Sequence, residues 1–201
     1  MQTLVTQKTG NCARTGEIHC KCLQPKTPVS SLKVDLKGAL RKLFTDHGVY
    51  TAFVLDAIVD GKSQDILQPY VKRLLQNQVD IGDLLKPIIG NQNGNLITQV
   101  LQEHINLAAA TITSAATDDG MLEENVAKLF ANSDRVAATL TSLNPEKLSY
   151  ETTSKMFHTH NQYVIDQAMA AIEGRAEDQI KLYDSYYAEL LEMSDAIVAA
   201  L

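Results

Sequence analysis

The chain has 201 residues, 45% of them hydrophobic and 21% charged, with a formal net charge of −6 and a pI of about 5.3. That length suits one domain with ample material for a core, and an acidic balance argues against nucleic acid as a partner, because phosphate contact needs clustered Lys and Arg. No apolar run approaches the ~20 residues that span a bilayer, and the N-terminus has no basic-then-apolar leader pattern, so a soluble cytoplasmic protein is expected.

Residues 1–31 differ from the rest. Lys8, Arg14, Lys21 and Lys26 against Glu17 give this stretch +3, leaving −9 for the remainder. It lacks helical periodicity and large apolar residues, and reads as a flexible basic tail. It also holds Cys12, Cys20 and Cys22, with His19 beside Cys20. Structural zinc sites favour two to four residues between paired cysteines and a second pair, which this stretch lacks. An oxidisable tail and a metal cluster are the two readings, the first being the better fit. Recruiting a partner, or addressing the protein to a particle or compartment, is a further role for such a segment.

From Leu32 a helical period takes over. The first helix is expected over about 32–60, with Leu36, Leu40, Leu43, Phe44, His47, Tyr50, Val54 and Ile58 on one stripe and Gly61 as its stop. Ser63 offers an N-cap for a second helix reaching Pro87, with Pro69 marking its first turn because an interior proline costs about 3 kcal/mol. Gly90–Asn95 reads as a turn closed by an N-cap. A third helix is expected over about 95–116 and a fourth over 121–142, separated by Asp118-Asp119-Gly120. Asn144-Pro145 and Ser149 are alternative starts for a fifth helix, over about 150–173. Gly174 ends it, and a sixth follows over about 176–200, presenting Tyr183, Tyr187 and Leu190. Six helices with short turns predict an all-α bundle of three antiparallel hairpins.

Three segments resemble one another: FTDHGVY (44–50), LQEHINL (101–107) and FHTHNQY (157–163). Their histidines, His47, His104 and His160, are separated by 57 and 56 residues, which points to a repeated helical hairpin. Each histidine falls on its helix's apolar stripe. The partner helices carry Asn77, Asn132 and Glu189 about 28–30 positions later, with Asp80 and Asp134 close by. Across a hairpin, residues so spaced come level, within reach of the imidazoles.

Two uses fit. Neutral imidazoles with carboxylates bind Zn, Fe or Mn, giving a candidate ligand set of His47, His104, His160, Glu189, Asp134 and Asp80. Alternatively, the polar residues satisfy one another in the core and set helix register only. The Glu-x-x-His pairs of ferritin-like di-iron proteins and the His-x-x-x-His of haemerythrin are absent, so any centre is of another design. A Gly-x-Ser-x-Gly elbow, a phosphate loop and a Rossmann fingerprint are also missing. Ser133 beside Asp134 reads as a helix surface pair. The tyrosines of the last helix read as core or as a contact surface, for a second copy or a protein partner.

The segments DHGVYT (46–51), RLLQNQVDIGDLLKP (73–87), LQEHINLAA (101–109), ANSDRVAATL (131–140) with Asn144-Pro145, and YDSYYAELLEMSD (183–195) together resemble an uncharacterised family of small helical proteins from Bacillus-type bacteria and large DNA viruses. The resemblance runs from about Leu40 to Ile197. It implies a bundle with inward His and acidic residues, and a cytoplasmic or, for a viral member, virion location. The family pattern has a His where this chain has Glu189 and an acidic residue where it has Thr159.

Overall fold

In a computed structural model, the structure describes residues 29–201, with side chains from residue 35; Cys12, Cys20, Cys22 and His19 lie outside the described residues. Six helices follow one another: α1 (Val29–Val59), α2 (Gln64–Ile89), α3 (Asn91–Thr117), α4 (Leu122–Leu143), α5 (Tyr150–Ile172) and α6 (Ala176–Ala200). No strand occurs among the described residues.

The helices form a closed ring in which each packs on its two chain neighbours and α6 returns to α1. In addition, α1, α3 and α5 touch one another. The odd-numbered helices therefore make an inner triangle and the even-numbered ones fill the outer grooves. Neighbours are antiparallel. Along α2 and α3, for example, Gln78 O lies 3.5 Å from Thr98 Oγ1 and Leu75 O lies 3.4 Å from Gln102 Nε2, so numbers rise on one helix as they fall on the other. The three inner helices consequently run parallel, and one central level collects the same part of each. Ring closure between α1 and α6 is reinforced by Arg41, whose Nε donates to Asp195 at 2.7 Å, and by Lys37, 2.9 Å from the same carboxylate. These pairs are solvent-facing and stabilise little by themselves.

Helix α1 begins at Val29, inside the stretch 1–31 read as a tail, and the helix ends differ from expectation in two further places. Helix α2 begins at Gln64, five residues before Pro69, which sits inside the helix. Pro69 is exposed, so water serves the carbonyl that loses its partner and the usual interior cost is reduced. Helix α3 begins at Asn91 rather than near 95, and the whole turn is Gly90 at φ 83°. The polar run was misread because its side chains cap rather than interrupt: Asn93 Nδ2 donates to Ile89 O at 2.8 Å, closing the end of α2. Elsewhere Ser149 is the N-cap of α5, its Oγ accepting from Thr152 N at 3.2 Å.

Gly82 and Gly94 set the α2–α3 distance. A Cβ on Gly82 would stand 2.7 Å from Gly94 O and against the Thr98 side chain, so the two backbones approach as only glycine allows. Gly38, by contrast, is an exposed helical glycine with open space where a Cβ would go. Gly82→Ala is expected to lower unfolding free energy by about 1–3 kcal/mol through overpacking. Gly38→Ala is expected to raise it by about 0.5–1 kcal/mol. Urea denaturation of the two variants checks the opposite signs.

Candidate functional site

His47 on α1, His104 on α3 and His160 on α5 are brought to one level of the inner triangle. The ring centroid of His160 lies 5.7 Å from that of His47 and 5.9 Å from that of His104. All three are buried. The outer helices supply a partner to Nδ1 of each ring. His104 Nδ1 donates to Asn132 Oδ1 on α4 at 3.0 Å, and Asn132 in turn donates from Nδ2 to Val100 O at 3.3 Å. His160 Nδ1 donates to Glu189 Oε2 on α6 at 3.1 Å. Nδ1 of His47 lies 3.1 Å from Gln78 Nε2 on α2, and its Nε2 is 3.5 Å from Thr51 Oγ1.

These contacts assign tautomers. A neutral imidazole whose Nδ1 carries the proton leaves Nε2 as a lone pair. That is the state of His104, whose acceptor is a neutral amide and whose ring burial keeps uncharged, while His160 faces the Glu189 carboxylate. His47 is set the other way, with Nδ1 accepting from the Gln78 amide. That amide also lies 3.1 Å from both Leu74 O and Asn77 Oδ1, three acceptors for two hydrogens.

Burial governs the charge state. It pushes the His104 pKa down from 6.5 to about 3, with the positive charge His160 can carry as a second cause. His47 is lowered well below its ordinary value, first by burial and then by its histidine neighbours. Tyr186, whose ring centroid is 5.0 Å from that of His160, is raised above its ordinary value chiefly by burial. Two buried polar atoms beside this level have no partner, Tyr186 Oη and Glu189 Oε1. Such an atom ordinarily costs about 1–3 kcal/mol.

The histidine level separates two internal spaces. On the side of the N-termini of α1, α3 and α5 lies a cavity of about 40 Å³, and on the other a space of about 20 Å³ bordered by Thr51, Ile105 and Asn161. Among the described residues, no three His, Cys, Asp or Glu side chains stand around a common point as a bound ion requires.

Of the six residues read from the sequence as metal ligands, His47, His104, His160 and Glu189 are brought together, and Asp80 and Asp134 are not. Asp80 takes Gln76 Nε2 at 3.0 Å and Arg73 at 3.4 Å on the surface of α2. Asp134 accepts from Ser154 Oγ at 2.7 Å and from His158 Nε2 at 2.9 Å. The first of these bonds is also the main cause that holds its carboxyl below the usual range. The reason is angular. Asp134 is two positions beyond Asn132 and Asp80 two beyond Gln78, a rotation of roughly 200° around the helix. Ser133 is not a surface residue: it is fully buried and accepts from Asn161 Nδ2 at 2.7 Å. Asn77 likewise serves the backbone, donating to Leu43 O at 3.0 Å. Tyr187, expected inward, is exposed, and Tyr186 takes the interior place. Gln78 and Tyr186 are the site residues the spacing argument missed. The signal for Gln78 was its position on the apolar stripe of α2.

The sequence matches no family model and no curated protein, and the fold matches no solved structure.

The depressed His104 pKa fixes the sign of a pH dependence. Above pH 6.5 neither the folded nor the unfolded chain protonates this ring, and its full contribution to stability is present. Between 6.5 and about 3 only the unfolded chain takes up the proton, so stability falls as the pH falls. One such group contributes a slope of about 1.4 kcal/mol per pH unit. Urea midpoints measured from pH 7 to pH 4 should therefore drop, and His104→Gln, which keeps a donor for Asn132, should flatten the slope by about one proton. An unchanged slope in the variant contradicts the assignment.

Proposed function

We propose that the bundle binds a transition-metal ion of the Zn, Fe or Mn class at the histidine level. His104 and His160 are the ligands through Nε2, His47 is the third, and Glu189 orients His160. One observation carries this reading: three imidazoles stand at one buried level, His160 5.7 and 5.9 Å from His47 and His104, with Nδ1 of His104 and of His160 braced by an amide and a carboxylate. Neutral imidazole braced at Nδ1 by an amide or carboxylate is the form in which histidine binds metal. The unpaired Glu189 Oε1 adds negative charge beside the place a cation would take. The rings are neighbours rather than already gathered, so binding turns them towards one another about their side-chain torsions, with the adjoining spaces giving room.

The similar placement of the three rings, at intervals of 57 and 56 residues, also favours a hairpin copied threefold. Membership of the bacterial and viral family described above is consistent with this architecture. It would set the protein in the cytoplasm or in a virion.

A second reading has its own support. Each Nδ1 has a partner on the adjacent outer helix, so the polar layer already defines helix register without an ion. On that reading the protein is a structural or interaction bundle. The exposed Ile180 and Tyr187 of α6 and the basic N-terminal segment would meet a second copy or a protein partner. No described helix is long and apolar enough to cross a membrane, so a span plays no part in either reading.

The test uses full-length protein without a histidine tag, with Cys12, Cys20 and Cys22 changed to serine so that the tail contributes no thiolate. Elemental analysis after exposure to Zn, Fe(II) or Mn should find about one equivalent of metal. His104→Ala and His160→Ala should lose it with helical circular dichroism retained, and Asp134→Asn should keep it. A folded protein that takes up no metal sinks the first reading and leaves the second.

A further inference from the structure

The 40 Å³ cavity differs in kind from the polar level beneath it. Its wall is almost wholly hydrocarbon, contributed by all six helices and represented by Leu40, Ile81, Val100, Val136, Leu140 and Leu190, each at most 4% exposed. The few polar groups that border it are engaged elsewhere. Thr139 Oγ1 donates to Arg135 O at 2.8 Å, and the Gln78 amide is committed to Leu74 O, Asn77 and His47. What remains is the imidazole floor.

A water molecule in such a space needs two to four polar partners, which only the imidazole floor offers, so the hydrocarbon part of the space stays dry. A cavity of about 150 Å³ is the size that admits benzene, so the present one takes only a much smaller guest. Among the lining residues only Leu101 on α3 and Thr139 on α4 are half-buried, the others being fully buried, so the wall is thinnest between those two helices.

We propose that this chamber takes up a small uncharged diatomic molecule of the dioxygen type, held by the hydrocarbon wall against the imidazole floor. Dispersion and exclusion of water supply the affinity, and the size of the space supplies the selection. The proposal deepens the metal reading and rests on it only for what the guest meets at the floor. No bond is made or broken in the step proposed.

The test is made on metal-free and metal-exposed full-length protein in parallel. Xenon, an uncharged probe of apolar cavities, is applied under pressure to crystals. Methyl NMR under dioxygen reports paramagnetic relaxation at Val100, Leu140 and Leu190, with Leu129, equally buried but away from the chamber, as the internal reference. The expected result is a xenon peak in the chamber and relaxation enhancement at the three lining residues exceeding that at Leu129, with or without metal. Val136→Leu, which adds a methylene to the wall, should abolish both signals. Leu140→Ala, which enlarges the space, should strengthen them, so the pair stays informative if one variant folds poorly. A chamber that holds ordered water, excludes xenon, or relaxes no faster than Leu129 overturns the proposal whatever the metal content. Xenon uptake in a protein that binds no metal sinks the metal assignment alone and leaves the chamber standing.

Discussion

Three imidazoles share one buried level, and the rest of the molecule is arranged to keep them hydrogen-bonded there, with His47 and His104 held neutral. Charging a ring in that place would put a cation among hydrocarbon with histidines for neighbours, which is why His104 is held so far below the ordinary range. Neutral rings still need partners. The inner helices cannot provide them, because α1, α3 and α5 meet through the same faces that carry the rings. The outer helices do, through Gln78 on α2, Asn132 on α4 and Glu189 on α6. The two-tier ring of helices and the polar level are thus two sides of one constraint: each inner helix requires its own outer neighbour at that height.

The close packing of α2 and α3 serves the same end. Gly82 and Gly94 let the backbones approach, placing Gln78 O beside Thr98 and keeping Gln78 in line with His47. A wider separation would move α2 outwards and draw its amide away from the ring. Packing and polar satisfaction are therefore coupled along α2, so the loss of either is felt by the other.

The histidine level is also not symmetric in its chemistry. An amide faces His104, a carboxylate faces His160, and His47 is matched with an amide nitrogen instead of an oxygen. Glu189 brings the one acidic group of the set, with one oxygen on His160 and the other without a partner. Tyr186 stands beside it with its hydroxyl equally unused. Unmet polar capacity at the level is gathered on α6, and the wall of the cavity above it is hydrocarbon. The proposed ion at the level and the proposed uncharged guest above it would use the two halves of this division.

The number of helices, their approximate limits and the inward direction of His47, His104 and His160 were legible in the chain, because a helix writes its buried face into the sequence every three or four residues. Spacing across a hairpin also pointed to Asn132 and Glu189. It did not separate these from Asp134 and Asp80, since two positions along a helix are opposite faces, and a count along the chain carries an uncertainty of that size. Nor did it choose Tyr186 over Tyr187, neighbours of the same composition whose burial depends on the angle at which α6 meets α5. Which helices form the inner triangle, how far the rings stand apart and whether space is left above them depend on crossing angles and interhelical distances. Those are set by contacts such as Gly82 against Gly94, between residues far apart in number, and only the folded chain decides them.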